Sequence, residues 1–185
     1  QGGLHERISR FRLEGDEVVG GETVLVDFAV YQDAIYHTGG AMRFGHDDTL
    51  YVGVGDHLQQ ETPQDLGSAF GKIHRFLPDG GIPADNPFAG GGGGRLPSIW
   101  AYGLRNPYSL EIDAATGELY INDVGESTWE EINLGAPGAN YGWPQSEGPD
   151  NVGTGITGPL FAYKHSAATP PGSGPGGFFT GFAIA

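Results

Sequence analysis

Three groups of residues in this chain have the types and spacing to do chemistry. His37 lies in YHTGGAMRF, directly ahead of two glycines. Imidazole is the side chain best suited to take a proton near neutral pH, and glycines let backbone or a ligand approach closely. The alternative is a structural histidine in a turn. Arg105 and Asn106 lie in WAYGLRNPYSL and join a guanidinium to an amide. Such a pair could grip a planar anion or carbonyls; equally, an arginine there could tie loops together through backbone carbonyls. Asp123, Glu126, Glu130 and Glu131 fall within nine positions of DVGESTWEEINLGAPGANYGWP, with Gly125 and Gly138 close by. Ca²⁺ takes carboxylates and backbone carbonyls together. No EF-hand spacing is present, so a solvated acidic turn stays open.

Other chemistries are excluded. Without cysteine there are no disulfides, thiolate metal sites or thiol nucleophiles. The glycine run Gly90–Gly94 lacks the strand-to-helix setting of a phosphate loop, and neither a G-x-S-x-G elbow nor an H-E-x-x-H pair occurs. A net charge of −14, with Lys72 and Lys164 as the two lysines, should repel nucleic acid and anionic membrane surfaces. No apolar run approaches the roughly 18 to 20 residues that span a membrane. Both ends read as cut, since the chain opens on QGGLHERISRF and closes on GFFTGFAIA.

The elements that must position these residues read as strands. With 34 glycines and 13 prolines in 185 residues, short strands joined by turns are expected. Ile8, Phe11 and Leu13, then Val24 and Val26, alternate around a Gly-Asp turn and predict a β-hairpin. A second hairpin runs through Met42 and Phe44, turns at HDD and returns over Leu50 to Val54. FGKIHRFLPDGGIP predicts a strand closed by a turn at Asp79–Gly80, and SLEIDAATGELYINDVGE a further hairpin. TPQDLGSAFG could hold a turn of helix, while FAGGGGGRLP and ATPPGSGPGG read as flexible loops. Two hairpins match each other. Tyr51 and Tyr120 are 69 positions apart, and Val54–Gly55–Asp56 and Val124–Gly125–Glu126 are 70 apart. A repeat of that length built from strands suggests propeller blades.

HTGGAMRFGHDDTLYVGVGD, FGKIHRFLPDGGIPADNPF, IWAYGLRNPYSLEID, DVGESTWEEINLG and NYGWP follow in that order. Together, between residues 4 and 166, they resemble the soluble quinoprotein glucose/sorbosone dehydrogenases. The resemblance implies an all-β fold, part of a six-bladed β-propeller with about two to three blades present, and a single partial domain over residues 1–185, truncated at both ends. It implies pyrroloquinoline quinone (PQQ) and Ca²⁺ as cofactors, an aldose oxidised at its anomeric carbon to a lactone, a separate electron acceptor, and an extracellular or periplasmic location. By position, His37 would be the base and Glu130 the acid that orients it, while Arg105 and Asn106 would bind near the quinone's reactive edge. Gly125 and Glu126 would offer carbonyls to the catalytic Ca²⁺, Glu131 and Tyr141 a Ca²⁺ site known in some aldose dehydrogenases, and Tyr163 would border the sugar. Val124 stands where the glucose enzymes carry glutamine, and Glu126 where they carry proline. Relatives of the hedgehog-interacting type imply an alternative, a non-catalytic propeller that binds a protein or glycan; a Ca²⁺-dependent lactonase-type hydrolase is a third reading. Residues 1–185 alone are expected to be inactive.

Overall fold

A computed structural model describes residues 4–29, 36–150 and 153–165. The ATPPGSGPGG loop falls outside them. Among the described residues, ten strands form three antiparallel sheets. Strands β1 (His5–Glu14) and β2 (Glu17–Ala29) make a long hairpin. Its two-residue turn has Gly15 at φ 62°, a backbone region that glycine enters without penalty.

The second sheet is a meander of β3 (Met42–Phe44), β4 (Leu50–Val54), β5 (Lys72–Phe76) and β6 (Ile99–Tyr102). The third is a meander of β7 (Pro107–Ile112), β8 (Leu119–Asp123), β9 (Trp129–Leu134) and β10 (Phe161–Lys164). These are two consecutive four-stranded blades of a β-propeller. The two hairpins that match in sequence, β3–β4 and β7–β8, are the first two strands of each blade.

Alternation decides the packing, because successive side chains leave a strand on opposite faces. On β4, Leu50, Val52 and Val54 face one way and join Phe70 and Phe76, with Ile8, Val26 and Phe28 of the hairpin laid against them. Tyr51, on the other face, joins Ile73, Trp100, Leu104, Leu110, Leu119 and Ile121 between the two blades. The central blade is therefore apolar on both faces.

Two strands were not read from the sequence. The acidic WEEINL segment is β9, and FAYK is β10. The predicted turn of helix is instead a chain of turns, with the amides of Gln59, Thr62, Asp65 and Ser68 each bonded three residues back. Among the described residues the one helical piece is a 3₁₀ turn at Gly92–Gly94, inside the glycine run, and no helix is long and apolar enough to cross a membrane.

Candidate active site

His37 has a left-handed backbone, φ 52°, and its carbonyl crosses Gly55 so closely that a Cβ there would lie 1.9 Å away. This glycine lets the histidine segment lie on the end of β4. The ring then meets the next residue: His37 Nδ1 lies 2.7 Å from Asp56 Oδ1. A carboxylate only accepts, so Nδ1 carries the hydrogen and Nε2 keeps its lone pair. The ring is 14% exposed and Asp56 1%.

Asp56 gathers three donors. Oδ1 also accepts the amide of Leu58 at 2.8 Å, and Oδ2 accepts the indole Nε1–H of Trp143 at 2.8 Å. His57 and Leu58 share the left-handed region, at φ 53° and 62°. Backbone strain of this kind persists where surrounding bonds over-determine it and gathers at functional sites.

Trp143 arrives from the second blade. The segment 138–143 runs along the edge of β6, with bonds from Gly138 to Trp100, Tyr141 to Tyr102 and Trp143 to Gly103. Gln64 fastens it further by donating to Asn140 Oδ1 and the Trp143 carbonyl. The indole then lies under the Arg105 guanidinium, 5.6 Å from ring centroid to Cζ. The Asp56 amide donates to the Arg105 carbonyl at 2.8 Å. His37, Asp56, Trp143 and Arg105 thus form one contiguous cluster.

Arg105 ties loops and stays available at once. Its Nη1 donates to the carbonyls of Val124 and Gly125, at 3.1 and 2.6 Å. The amides of Arg105 and Asn106 both donate to the buried Asp123 carboxylate, at 2.9 and 2.6 Å. Burial raises the Asp123 carboxyl well above its ordinary range; Glu131 and Asp56 push the same way, against the two amides. Asn106 Oδ1 is buried with no hydrogen-bond donor among the described residues.

Glu130 lies elsewhere. It is fully buried on β9, with Oε1 2.7 Å from His165 Nε2 and Oε2 accepting the Gly125 amide. The carboxylate on His37 is Asp56, so the expected pairing of Glu130 with His37 is corrected. Glu130 pairs in register with Tyr163 on β10, the fourth strand of the blade that Arg105–Asn106 enter at β7, the first. Tyr163 is 6% exposed, leaving little surface to border a sugar.

The expected metal ligands divide in the same way. The Gly125 carbonyl accepts from Arg105 Nη1 at 2.6 Å, which leaves one lone pair of that oxygen. The Glu126 carboxylate is at the surface, bonded to Gln60. Glu131 is buried, accepts from Asn133 at 3.1 Å and from the Gly148 amide, and burial raises its carboxyl. A buried carboxylate held by neutral donors alone is the chemistry a hard cation satisfies. Tyr141 is buried close in sequence, its hydroxyl donating to the Leu134 carbonyl at 2.7 Å. Among the described residues no three or more His, Asp or Glu side chains form a metal cage.

Glu147 shapes the loop between Asp123 and Trp129. Its Oε1 accepts the consecutive amides of Glu126, Ser127, Thr128 and Trp129 at 2.8 to 3.2 Å. Burial opposes the charge, but the four amides outweigh it and hold the carboxyl below its ordinary range. A depressed folded-state value stabilises above the unfolded one and is lost as pH falls. Glu147→Gln should therefore lower stability by about 1–2 kcal/mol at neutral pH. Thermal melts of the two proteins should converge as pH falls below about 4.5, the ordinary glutamate value.

The glucose/sorbosone dehydrogenase family model matches residues 1–172. The chain belongs to this family. It is 34% identical over 144 residues to the aldose sugar dehydrogenase YliI of Escherichia coli, covering 71% of this chain and 38% of that protein. It is also 33% identical over 180 residues to the HIPL1 protein of Arabidopsis thaliana, covering 77% of this chain and 26% of that protein. The fold superposes on the PQQ-bound aldose sugar dehydrogenase of Streptomyces coelicolor with a TM-score of 0.73 and 32% identity, over 86% of this chain and 46% of that one. For the apo-form soluble aldose sugar dehydrogenase of Escherichia coli the TM-score is 0.71, with 27% identity over 84% of this chain and 48% of that one. The chain spans less than half the length of these relatives.

Asp56, Trp143, Glu147 and His165 were not read as site residues, and Asp123 was read as one acid of the candidate Ca²⁺ cluster, not as the acceptor of the Arg105 and Asn106 amides. Asp56 had a signal, the shared Val-Gly-acid ending of the two matching hairpins. Trp143 had only NYGWP, with nothing to place it beside Asp56.

Proposed function

We propose that the intact protein is a quinoprotein sugar dehydrogenase that oxidises an aldose at its anomeric carbon to the lactone. PQQ would supply the hydride acceptor, and its electrons would pass to a separate acceptor. The observation that carries this reading is the His37–Asp56 pair joined through Trp143 to Arg105. Asp56 holds Nδ1, so His37 presents Nε2 as the atom that takes the hydroxyl proton. Asp56 also stabilises the imidazolium once that proton has moved. Arg105 offers a guanidinium with its second terminal nitrogen uncommitted among the described residues, and Asn106 an orphaned amide oxygen. The guanidinium suits a quinone oxygen and the charge that develops on it, and the amide oxygen suits an N–H or O–H donor of the bound group. Asp123 fixes the backbone of both, so they meet the cofactor preorganised. Any Ca²⁺ requirement is assigned to the same acidic segment, at the carbonyls of Gly125 and Glu126 or at Glu131 and Tyr141. An extracellular or periplasmic setting is part of the same proposal.

The test is reconstitution of the intact protein with PQQ, with and without added Ca²⁺, followed by dye reduction with a panel of aldoses. Aldose-dependent reduction that requires PQQ is expected. A protein that takes up no PQQ would refute the proposal and favour a partner-binding propeller.

A further inference from the structure

Lys72 opens β5 and is completely buried. Its Nζ donates to three backbone carbonyls, Thr62 at 2.8 Å, Pro63 at 3.0 Å and Phe70 at 2.6 Å. These bonds use all three ammonium hydrogens. Among the described residues no carboxylate pairs with it. Asp65 acts on it only at a distance, and burial pushes the ammonium down to about 7. The three carbonyls favour the charged form. A side chain thus does here what a bound monovalent cation would do in a cage of carbonyl dipoles.

The cage lies where the two halves of the site are fastened. Thr62 and Pro63 belong to the loop that begins at Asp56, and the Thr62 hydroxyl ties back to the Gln59 carbonyl at 2.8 Å. The Pro63 carbonyl also receives the amide of Gly103, two residues before Arg105. Next to Lys72, the Gly71 amide donates to Gly55 and the Gly71 carbonyl accepts from Leu104. A Cβ on Gly71 would lie 2.6 Å from the Leu104 carbonyl oxygen, so this junction has no slack.

We infer that Lys72 is a positioning residue whose internal ammonium locks the Asp56 loop against the Gly103–Arg105 segment and so sets His37 against Arg105 and Asn106. Its importance for catalysis rests on the dehydrogenase reading; its effect on His37 does not. In the intact protein, Lys72→Met keeps the chain length and removes the ammonium. Leu119→Ala, a core deletion at the far end of β8, supplies a comparable loss of stability without touching the junction. In the cofactor-free protein, ¹⁵N NMR of the His37 ring should show the Nδ1–H tautomer in the wild type and in Leu119→Ala, and a mixture of tautomers in Lys72→Met. In the loaded protein, kcat of Lys72→Met should fall roughly 10- to 100-fold with KM little changed, as expected for misplaced reacting groups.

His37 ring signals and kcat in Lys72→Met that match those of Leu119→Ala would overturn the inference. If Lys72→Met does not fold, Lys72→Gln, which keeps two N–H donors, enters the same comparison. Failure of both to fold makes the ammonium a folding element alone and also overturns it. Should the wild type reduce no dye with any aldose, the functional reading fails while the ring signals still decide the role of Lys72.

Discussion

Replacing His37 with alanine should cut kcat/KM for aldose oxidation by about 10²- to 10⁴-fold, the range lost when a general base is removed. His37 joins the Arg105 cluster through Asp56. PQQ binding, followed by quenching of tryptophan fluorescence, should change little, because Arg105, Asn106 and Trp143 are untouched. Melting should also move little, since the ring is partly exposed and the chain just after it is tied to β4 by the Gly40 amide on the Gly53 carbonyl. Added imidazole should restore part of the rate by filling the vacated space. Retention of full activity would remove His37 from the mechanism and leave the Arg105 cluster without a base.

Asp56→Asn should lower kcat by roughly 10- to 100-fold, as for other groups that orient a catalytic histidine. It should also lower stability by about 1–3 kcal/mol, the cost of a buried donor left unpaired. An asparagine has one acceptor oxygen where Asp56 uses two. If that oxygen keeps His37 and Leu58, the new NH₂ faces the Trp143 indole N–H, donor against donor. If the amide flips, His37 must turn its lone pair inward at Nδ1 to accept, and Nε2 then carries the hydrogen and cannot act as a base. The flipped arrangement also sets the NH₂ against the Leu58 amide, donor against donor, and loosens Leu58 and His57, whose left-handed backbone lies at this carboxylate. A pH–rate profile and a melt on the same sample check both effects. A variant with a lowered melt but unchanged kcat would make Asp56 purely structural.

The two predictions differ in kind. His37 sits at the rim, so its loss is read in rate alone. Asp56 is the hub where the β4 end, the 56–70 loop and the second blade meet, so its loss is read in rate and stability together.

Much of this protein was legible in its sequence because the signals are local. Alternation around Ile8, Leu50–Val54 and Leu119–Asp123 marks strands through the period of two that any strand imposes. The turns at Gly15 and at Asp79–Gly80 are written in residues that tolerate the required backbone. The 69- and 70-residue spacings marked the blade repeat, because the same hairpin must recur at the same place in each blade. His37 and Arg105–Asn106 stood out by residue type. WEEINL did not read as a strand because its acids mask the alternation; Glu130 and Glu131 are buried by partners the sequence does not name.

What only the tertiary structure decided is which acid meets which base. Four carboxylates lie close together in sequence, yet none of them takes His37. Asp56 does, because the Gly55 crossing brings the histidine onto the end of β4. Glu130 goes to His165 because β9 and β10 pair side by side. Trp143 reaches Asp56 across 87 positions because its segment follows the edge of β6. Spacing along the chain fixes contacts within a hairpin, where geometry is set by neighbours. Contacts between blades depend on how whole sheets stack, and there the sequence supplied the residue types while packing chose the pairs.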